Sequence, residues 1–560
     1  MPALVLGPLL RYVGETEATV WVETDVPCEV RVRDATERTF NVGGHHYALV
    51  IIRGLEPDTR VPYDVRLDDQ LVWPAAGQDG GCIRTAGNDE EFMLAFGSCR
   101  VSLPHEPPYV LTKDADKAGR EVDALAALAA RMTTEPPERW PDALLLVGDQ
   151  VYADEVSPAI RERIGERRDL TVGARGEVAD FEEYTWLYQE AWGDPALRWL
   201  LAVVPSAMIF DDHDVHDDWN TSGTWCAKMR ALDWWDERII GAYVSYWVYQ
   251  HLGNLAPADL DAHRLYQEIR RSTDDVAPTL RYWAGEARNE QAGTRWSFAR
   301  RFGRSRMVVL DTRAGRVIDD DTDRHMLAPE QWDWVQTQLT GDVDHLLIAS
   351  TLPLFLAPAV HALEGWNEAV CAGAWGRTGV RVGEYIRQAL DLEHWSAFRT
   401  SFAELAEVLR SVGAGERGTP PASIVVLSGD VHHAYLAEAG FPRGSGVRSA
   451  VVQAVCSPVR NPLNRHERLV LRGAHTRIAT AVARGLARAA GVREPPVRWR
   501  LPETPTFDNQ IATLSLSGRS ARLRIEKTQA HEWREPRLHV SLDRVITDAE
   551  REVGAGGESG

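Results

Sequence analysis

The chain has 560 residues and a mass of 62.5 kDa, too long for one simple core, so two domains are expected, one carrying an insertion. Hydrophobic residues at 44% and charged residues at 26% exclude whole-chain disorder. A net charge of −20 argues against nucleic-acid binding, and no run approaches the roughly 18 apolar residues of a membrane span. The opening residues, Met1 to Leu10, lack a basic region and contain two prolines. No secretory leader is read there, which makes the expected location cytoplasmic, or extracellular if a leader has been removed.

Residues 1–90 read as all-β. Ala18-Thr19-Val20-Trp21-Val22-Glu23 and Glu29-Val30-Arg31-Val32-Arg33 alternate with period two, the pattern of half-buried strands. The turn Leu55-Glu56-Pro57-Asp58-Thr59, with Tyr63 beyond it, resembles the corner of fibronectin-III-like sandwiches, in which the tyrosine hydroxyl ties back to the backbone. Gly77 to Gly81 and Gly87-Asn88-Asp89 read as loops at a domain edge.

From residue 91 apolar runs of strand length alternate with helical stretches, the grammar of an α/β fold. The runs are Phe92–Phe96, Ala143–Val147, Val203–Phe210, Met307–Leu310, His345–Ala349 and Ile424–Leu427, with helices expected over Met229–Gln250 and Tyr385–Val412. Each run ends at a telling position: Cys99, Asp149 with Tyr152, Asp211-Asp212-His213-Asp214, Asp311 with Arg313, Ser350-Thr351, and Asp430 with His432-His433. Buried strands present ligands at their carboxyl ends, so these exits are expected to meet at one sheet edge. The other cysteines, Cys28, Cys82, Cys226, Cys371 and Cys456, read as small buried hydrophobes.

So many carboxylates would repel one another unless cations lay between them, which points to a metal cluster. Carboxylate oxygens suit hard ions such as Ca²⁺, Mg²⁺ or Mn²⁺, whereas a thiolate, a phenolate and an imidazole suit a transition metal. Two unlike metals sharing one bridging aspartate would reconcile the mixture. Asp214, Asp217 and Asp218 read as a solvated charge run, one of which could still reach the second metal, Asp211 as a partner of His213 or a helix cap, and His433 as facing away.

The blocks Gly148-Asp149-Gln150-Val151-Tyr152, Asp211-Asp212-His213-Asp214 and Gly429-Asp430-Val431-His432 resemble those of calcineurin-type metallophosphoesterases. Together with Phe96-Gly97-Ser98-Cys99 and Leu310-Asp311-Thr312-Arg313 they are similar to the PhoD-like alkaline phosphatase family, over roughly residues 1–460 and the strands after 505. The resemblance implies an amino-terminal fibronectin-III/Ig-like β-sandwich and then a four-layered α/β/β/α metallophosphoesterase domain. It implies Fe³⁺ held by Cys99, Tyr152, Asp149 and His432, with Asp149 bridging to Ca²⁺ held also by Asp212 and Asp430. His213 would face the phosphate, and Arg313 would grip phosphoryl oxygens through its planar fork. The strand from His345 exits at Ser350-Thr351 without the imidazole the wider superfamily carries there, which favours a calcium-type second ion.

The function implied is phosphoester hydrolysis by a metal-bound hydroxide, with His213 protonating the leaving alkoxide and a small-molecule phosphate ester as substrate. The rivals are a non-catalytic metal-binding module and a phospholipid-directed phosphodiesterase. Trp366 and Trp375 lie in a glycine-rich stretch after Thr351 and are expected on a loop over the site, with Trp366 touching substrate; Trp332 and Trp334 read as core. Residues 460–500 hold ten Arg and two Glu, a local charge of 10 − 2 = +8. Ile478, Val482 and Leu486 recur there at helical spacing opposite Arg477, Arg484 and Arg488, a basic amphipathic helix suited to its own acidic surface or to weak contact with an anionic membrane. The domains read as 1–90, 91–549 with this basic helical insertion, and a disordered tail over 550–560; oligomeric state stays open.

Overall fold

A computed structural model describes residues 1–75, 80–87, 91–289, 294–318 and 321–548. The tail over 550–560, Asn88-Asp89 and most of Gly77–Gly81 lie outside the described residues.

The amino-terminal region is β-rich, as its alternation requires. One four-stranded sheet has the order Leu4–Val13, Glu17–Thr24, His45–Arg53, Phe40–Val42; a second has Ala35–Arg38, Glu29–Val32, Val65–Leu67, Gln70–Trp73. Val20, Val22, Val50 and Ile52 from the first share one apolar cluster with Val30, Val32, Val65 and Leu67 from the second. The alternate positions Trp21, Tyr47 and Leu49 point to the other face and join the main core of the molecule, so the first sheet is buried on both sides. Trp21 meets Tyr249 and Trp192 at ring-centroid distances of 5.4 and 6.1 Å. The buried guanidinium of Arg11 donates to the carbonyls of Tyr249 and Gln250 at 3.0 and 2.8 Å. Tyr63 departs from the corner pattern: its hydroxyl donates to the carbonyl of Ala202, 139 residues away, and so ties this region to the next instead of closing its own turn.

His45 is a further tie. Its Nε2 pairs with Glu182 at 2.8 Å and its Nδ1 with Glu23 at 3.1 Å, linking the first sheet to the helix Phe181–Trp192. Burial works against protonating this ring, but the two carboxylates outweigh burial and lift its pKa to about 9. A raised folded-state pKa stabilises fully below the unfolded value of about 6.5 and loses that contribution as pH rises through about 9. The unfolding free energy measured in urea should therefore fall between about pH 6.5 and 9.5, by on the order of 1 kcal/mol after solvent screening, and His45→Gln should flatten that slope. Equal slopes in the two proteins would show that the ion pair contributes nothing.

All six apolar runs form strands, but in two sheets. A six-stranded sheet has the order Ser206–Ile209, Ala143–Val147, Glu91–Gly97, Gln510–Ser517, Ser520–Lys527, His539–Thr547, with its first three strands parallel. A seven-stranded sheet has the order Phe298–Phe302, Ser305–Leu310, His345–Ser350, Ser423–Ser428, Ala450–Val455, Tyr435–Gly440, Arg498–Arg500. Ala143–Val147, His345–Ser350 and Ser423–Ser428 are buried along their whole length, hence their unbroken apolar character. The expectation of one sheet edge is corrected: three exits come from each sheet. They meet at Gly429, where a Cβ would stand 2.1 Å from Ser98 Oγ and 2.9 Å from the Val147 carbonyl, so only glycine lets the two sheets' loops close.

The expected long helices are interrupted. Met229–Gln250 divides into the end of Gly223–Arg230, the helix Trp235–Ser245 and a π-helical turn Tyr246–His251. Tyr385–Val412 divides into Gly376–Ala389 and Arg399–Ala414, and the break between them carries Asp391, Glu393 and His394. The stretch read as a loop over the site is the helix Pro358–Cys371; Trp366 is buried in it against Val370 and Ala487, on the side of the basic segment. Trp332 and Trp334 pack against the core as expected.

The basic segment forms the helices Arg465–Ala474 and Arg477–Ala489, the second packed on Pro358–Cys371. It docks through Ala483 and Ala487, and its larger apolar residues face outward, with Ile478 78% and Val482 61% exposed. Small alanines allow close helix approach, and the hydrophobic stripe is left uncovered. Among the described residues no helix is long and apolar enough to cross a membrane. All six cysteines are free, and Cys82 is exposed, against its reading as buried.

Candidate metal centre

Four of the expected ligands take left-handed backbone conformations that side chains other than glycine seldom adopt: Cys99 at φ 57°, Asp149 at 50°, Asp430 at 66° and His432 at 51°. Such strain costs about 1–3 kcal/mol per residue and persists where the surroundings dictate it. Backbone bonds hold the turns together: Arg100 N–H donates to the Asp149 carbonyl at 3.2 Å, Arg460 N–H to the Cys99 carbonyl at 3.1 Å, and Asp430 N–H to Ser98 Oγ at 3.0 Å.

Of the expected iron ligands, Tyr152 meets Asp149, and Cys99 meets the turn that carries His432; the side-chain donors that gather closely enough for one cation among the described residues are instead Asp149, Asp211 and Asp212, and Asp212, His213 and Asp217. Cys99 Sγ lies 3.5 Å from the Asp430 carbonyl, and the Tyr152 hydroxyl donates to Asp149 Oδ2 at 3.4 Å. Asn461, which no strand pattern flags, donates its amide to the Tyr152 oxygen at 3.3 Å. Burial, then the Asp149 carboxylate, pushes the Tyr152 phenol and the Cys99 thiol well up; burial also raises Asp149 and lowers His432 to about 4. Without a cation, burial in this pocket favours the neutral thiol, phenol and imidazole. Asp149 Oδ1 and His432 Nδ1 are buried with no hydrogen-bond partner. An acidic and imidazole donor set with orphaned atoms fits a metal that displaces those protons.

Beside it, Asp149, Asp211 and Asp212 bring carboxylate oxygens within 4.8 Å of one another, all buried. Asp211 Oδ2 has no partner, and Asp212 Oδ1 makes no hydrogen bond, only an ion pair with Arg313 at 3.2 Å. This set also fits a cation, and it differs from the expected one. Asp211 does not touch His213 but joins the carboxylates, with Oδ1 accepting from Arg313 and from Thr351 at 3.0 Å. Asp430 has both oxygens engaged, Oδ1 by Arg313 at 3.3 Å and Oδ2 by His394 at 3.1 Å, and these contacts hold it at about 2 against the burial that would raise it.

Arg313 is the largest departure. Its side chain is wholly buried, and its guanidinium is ringed by Asp211, Asp212, Glu393 and Asp430. The fork expected to face phosphate is paired with carboxylates here. Asp311 holds its loop by accepting from the Arg313 and Ala314 amides at 3.0 and 2.9 Å. His394 continues the network, with its Nδ1 2.7 Å from Glu364.

His213 sits at the rim with its ring 4.6 Å from that of Tyr152. Its Nδ1 pairs with Asp154 at 3.0 Å and its Nε2 lies 3.7 Å from the exposed Asp217. Burial disfavours the imidazolium, but Asp154, followed by Asp212 and Asp149, raises its pKa well above the ordinary value. Asp154 was missed by sequence reasoning although it lies two residues past Tyr152. Asp214 is not on a solvated face: it is buried, and its carboxylate accepts from the Asp211 amide at 2.9 Å and the Val151 amide at 3.3 Å. His433 does face away, its Nδ1 on the Val431 carbonyl and its ring stacked on Tyr435 and Phe507. His345 is at the far end of its strand, bonded to Ser423 and the Gly518 carbonyl.

A family model described as PhoD-like phosphatase matches residues 127–490, and a domain of unknown function, DUF7800, matches residues 1–84. A solved structure of PhoD aligns with a TM-score of 0.58 at 12% identity, covering 97% of this chain and 92% of that one. No curated protein matches the sequence.

Proposed function

We propose, for a chain that belongs to the PhoD-like phosphatase family and is therefore a phosphoric ester hydrolase, that the reaction runs at a mixed-metal centre. Cys99, Asp149, Tyr152 and His432 would hold Fe³⁺, and Asp212, Asp211 and the shared Asp149 would hold Ca²⁺. The observation that carries this reading is the pair of buried, unpartnered atoms, Asp149 Oδ1 and His432 Nδ1, among donors from both sheets. The soft and phenolic donors favour a highly charged transition metal in one place, and the all-carboxylate set favours a hard ion in the other.

When bound, such ions supply a water made nucleophilic at neutral pH and positive charge for the phosphoryl oxygens. The chain's residues do the rest. Asp154 fixes His213 with its Nδ1 proton turned inward, which leaves Nε2 to carry a proton to the departing alkoxide. Arg313 neutralises the carboxylates that would otherwise repel a phosphate ester. Tyr152 is the metal donor whose loss should be visible: an iron-loaded enzyme should carry a phenolate charge-transfer band that disappears in Tyr152→Phe. Metal analysis should give iron near one equivalent in the wild type. Zinc or manganese at both positions, with no band, would overturn the iron assignment and leave the hydrolase standing.

The same reading takes residues 1–90 as a fibronectin-III-like sandwich and 91–549 as a four-layered α/β/β/α domain with the basic helices as an insertion. Two sheets sharing one apolar cluster, in each part, support it.

A further inference from the structure

A second concave site lies away from the metal donors. A cavity of about 860 Å³ opens between the helix Pro358–Cys371, the helix Arg477–Ala489 and the chain from Gly491 to Trp499. Its volume is within the range of sites for small organic ligands. Five arginines line it. Arg399 and Arg488 are paired with Glu368 and Glu494. Arg484, Arg493 and Arg498 have no ion pair or side-chain hydrogen bond among the described residues, and all three are exposed. In a chain of net charge −20, three guanidinium groups without a carboxylate partner stand around one hollow. The planar guanidinium matches phosphoryl oxygens in particular.

The remaining wall is aromatic and apolar. Trp499, anchored by its Nε1 on the Leu356 carbonyl at 2.7 Å, and Phe402 flank His361, whose ring meets theirs at 4.6 and 4.8 Å. His361 Nδ1 is buried with no hydrogen-bond partner. The cavity thus pairs a cationic rim with a flat aromatic wall.

We propose that this cavity binds an organic phosphate, a phosphoryl group carried on an apolar or aromatic body. It is distinct from the metal centre and does not rest on the metal assignment. A path to that centre exists: Ser396, on the cavity wall, donates to Glu364, which pairs with His394, which pairs with Asp430. The ligand could be a soluble phosphate or a phospholipid headgroup, since the exposed Ile478 and Val482 lie on the same helix as Arg484.

The test uses phenylphosphonate, whose carbon–phosphorus bond resists hydrolysis, titrated calorimetrically into the metal-loaded protein and into an Arg484→Ala/Arg493→Ala variant. The wild type should take up an equivalent beyond that held at the metal centre. The variant should lose it, by about tenfold in affinity for each arginine, with hydrolysis and its inhibition by phenylphosphonate unchanged. Sedimentation with phosphatidylcholine vesicles, with and without phosphatidylglycerol, separates the sources. Binding that needs phosphatidylglycerol and weakens in the variant would assign the site to a lipid headgroup. A single equivalent in both proteins, together with no variant-sensitive vesicle binding, would overturn the proposal.

Discussion

Replacing Arg313 with methionine should cost about 3–5 kcal/mol of stability and abolish turnover. The guanidinium is fully buried and faces four carboxylates, Asp211, Asp212, Glu393 and Asp430, so its removal leaves buried negative charge without its counter-ion. Metal can compensate only part of that charge, because Glu393 and Asp430 lie outside both proposed donor sets, although Glu393 keeps Arg316 through Nη1 at 3.0 Å. Arg313→Lys should rescue little: an ammonium cannot span Asp211, Glu393 and Asp430 at once with the geometry of a planar fork. The measurement is a chemical-denaturation midpoint for the metal-loaded and chelator-treated proteins, beside kcat and KM. A phosphate clamp behaves differently. If Arg313→Met unfolds like the wild type and raises KM, the arginine swings to substrate and the buried arrangement is not its working state.

That contrast shows where the sequence was readable. The strand exits were legible because a buried parallel strand must be an unbroken apolar run, and a polar or ligand-type residue just past such a run is conspicuous, as at Cys99, Asp149, Asp212, Asp430 and His432. The division of those runs between two sheets was not, since an apolar run carries no mark of its neighbour. Glu364, Glu393 and His394 were invisible for another reason. They reach inward from a helix or from a break between helices, where 3.6-residue periodicity continues across the gap and no proline or glycine announces the interruption. Arg313 was visible as a residue, but sequence shows only its fork and not the four carboxylates that surround it. The loop reading of Trp366 failed through its setting: glycines around a tryptophan suggested a loop, whereas Gly365 lies inside the helix Pro358–Cys371.

His213→Ala should lower kcat by about 10² to 10⁴ with metal content retained, the range for loss of a positioned proton donor. On the proposed reading the ring stands beside the donors: Nδ1 is committed to Asp154 at 3.0 Å, which leaves Nε2, 3.7 Å from Asp217 and within a second cluster of Asp212, His213 and Asp217. Asp154→Asn separates position from charge. An asparagine can keep a hydrogen bond to Nδ1 but no longer favours the imidazolium, which burial alone would disfavour. Removing that carboxylate therefore lowers the His213 pKa, and the alkaline limb of kcat should move to lower pH while the maximum drops less than in His213→Ala. The double variant should be no slower than His213→Ala, since Asp154 acts through the ring. Three assays are needed: metal stoichiometry, kcat across pH, and denaturation midpoints. If His213→Ala sheds metal in proportion to its lost activity, the histidine holds the centre together, and the proton that leaves with the product must come from elsewhere.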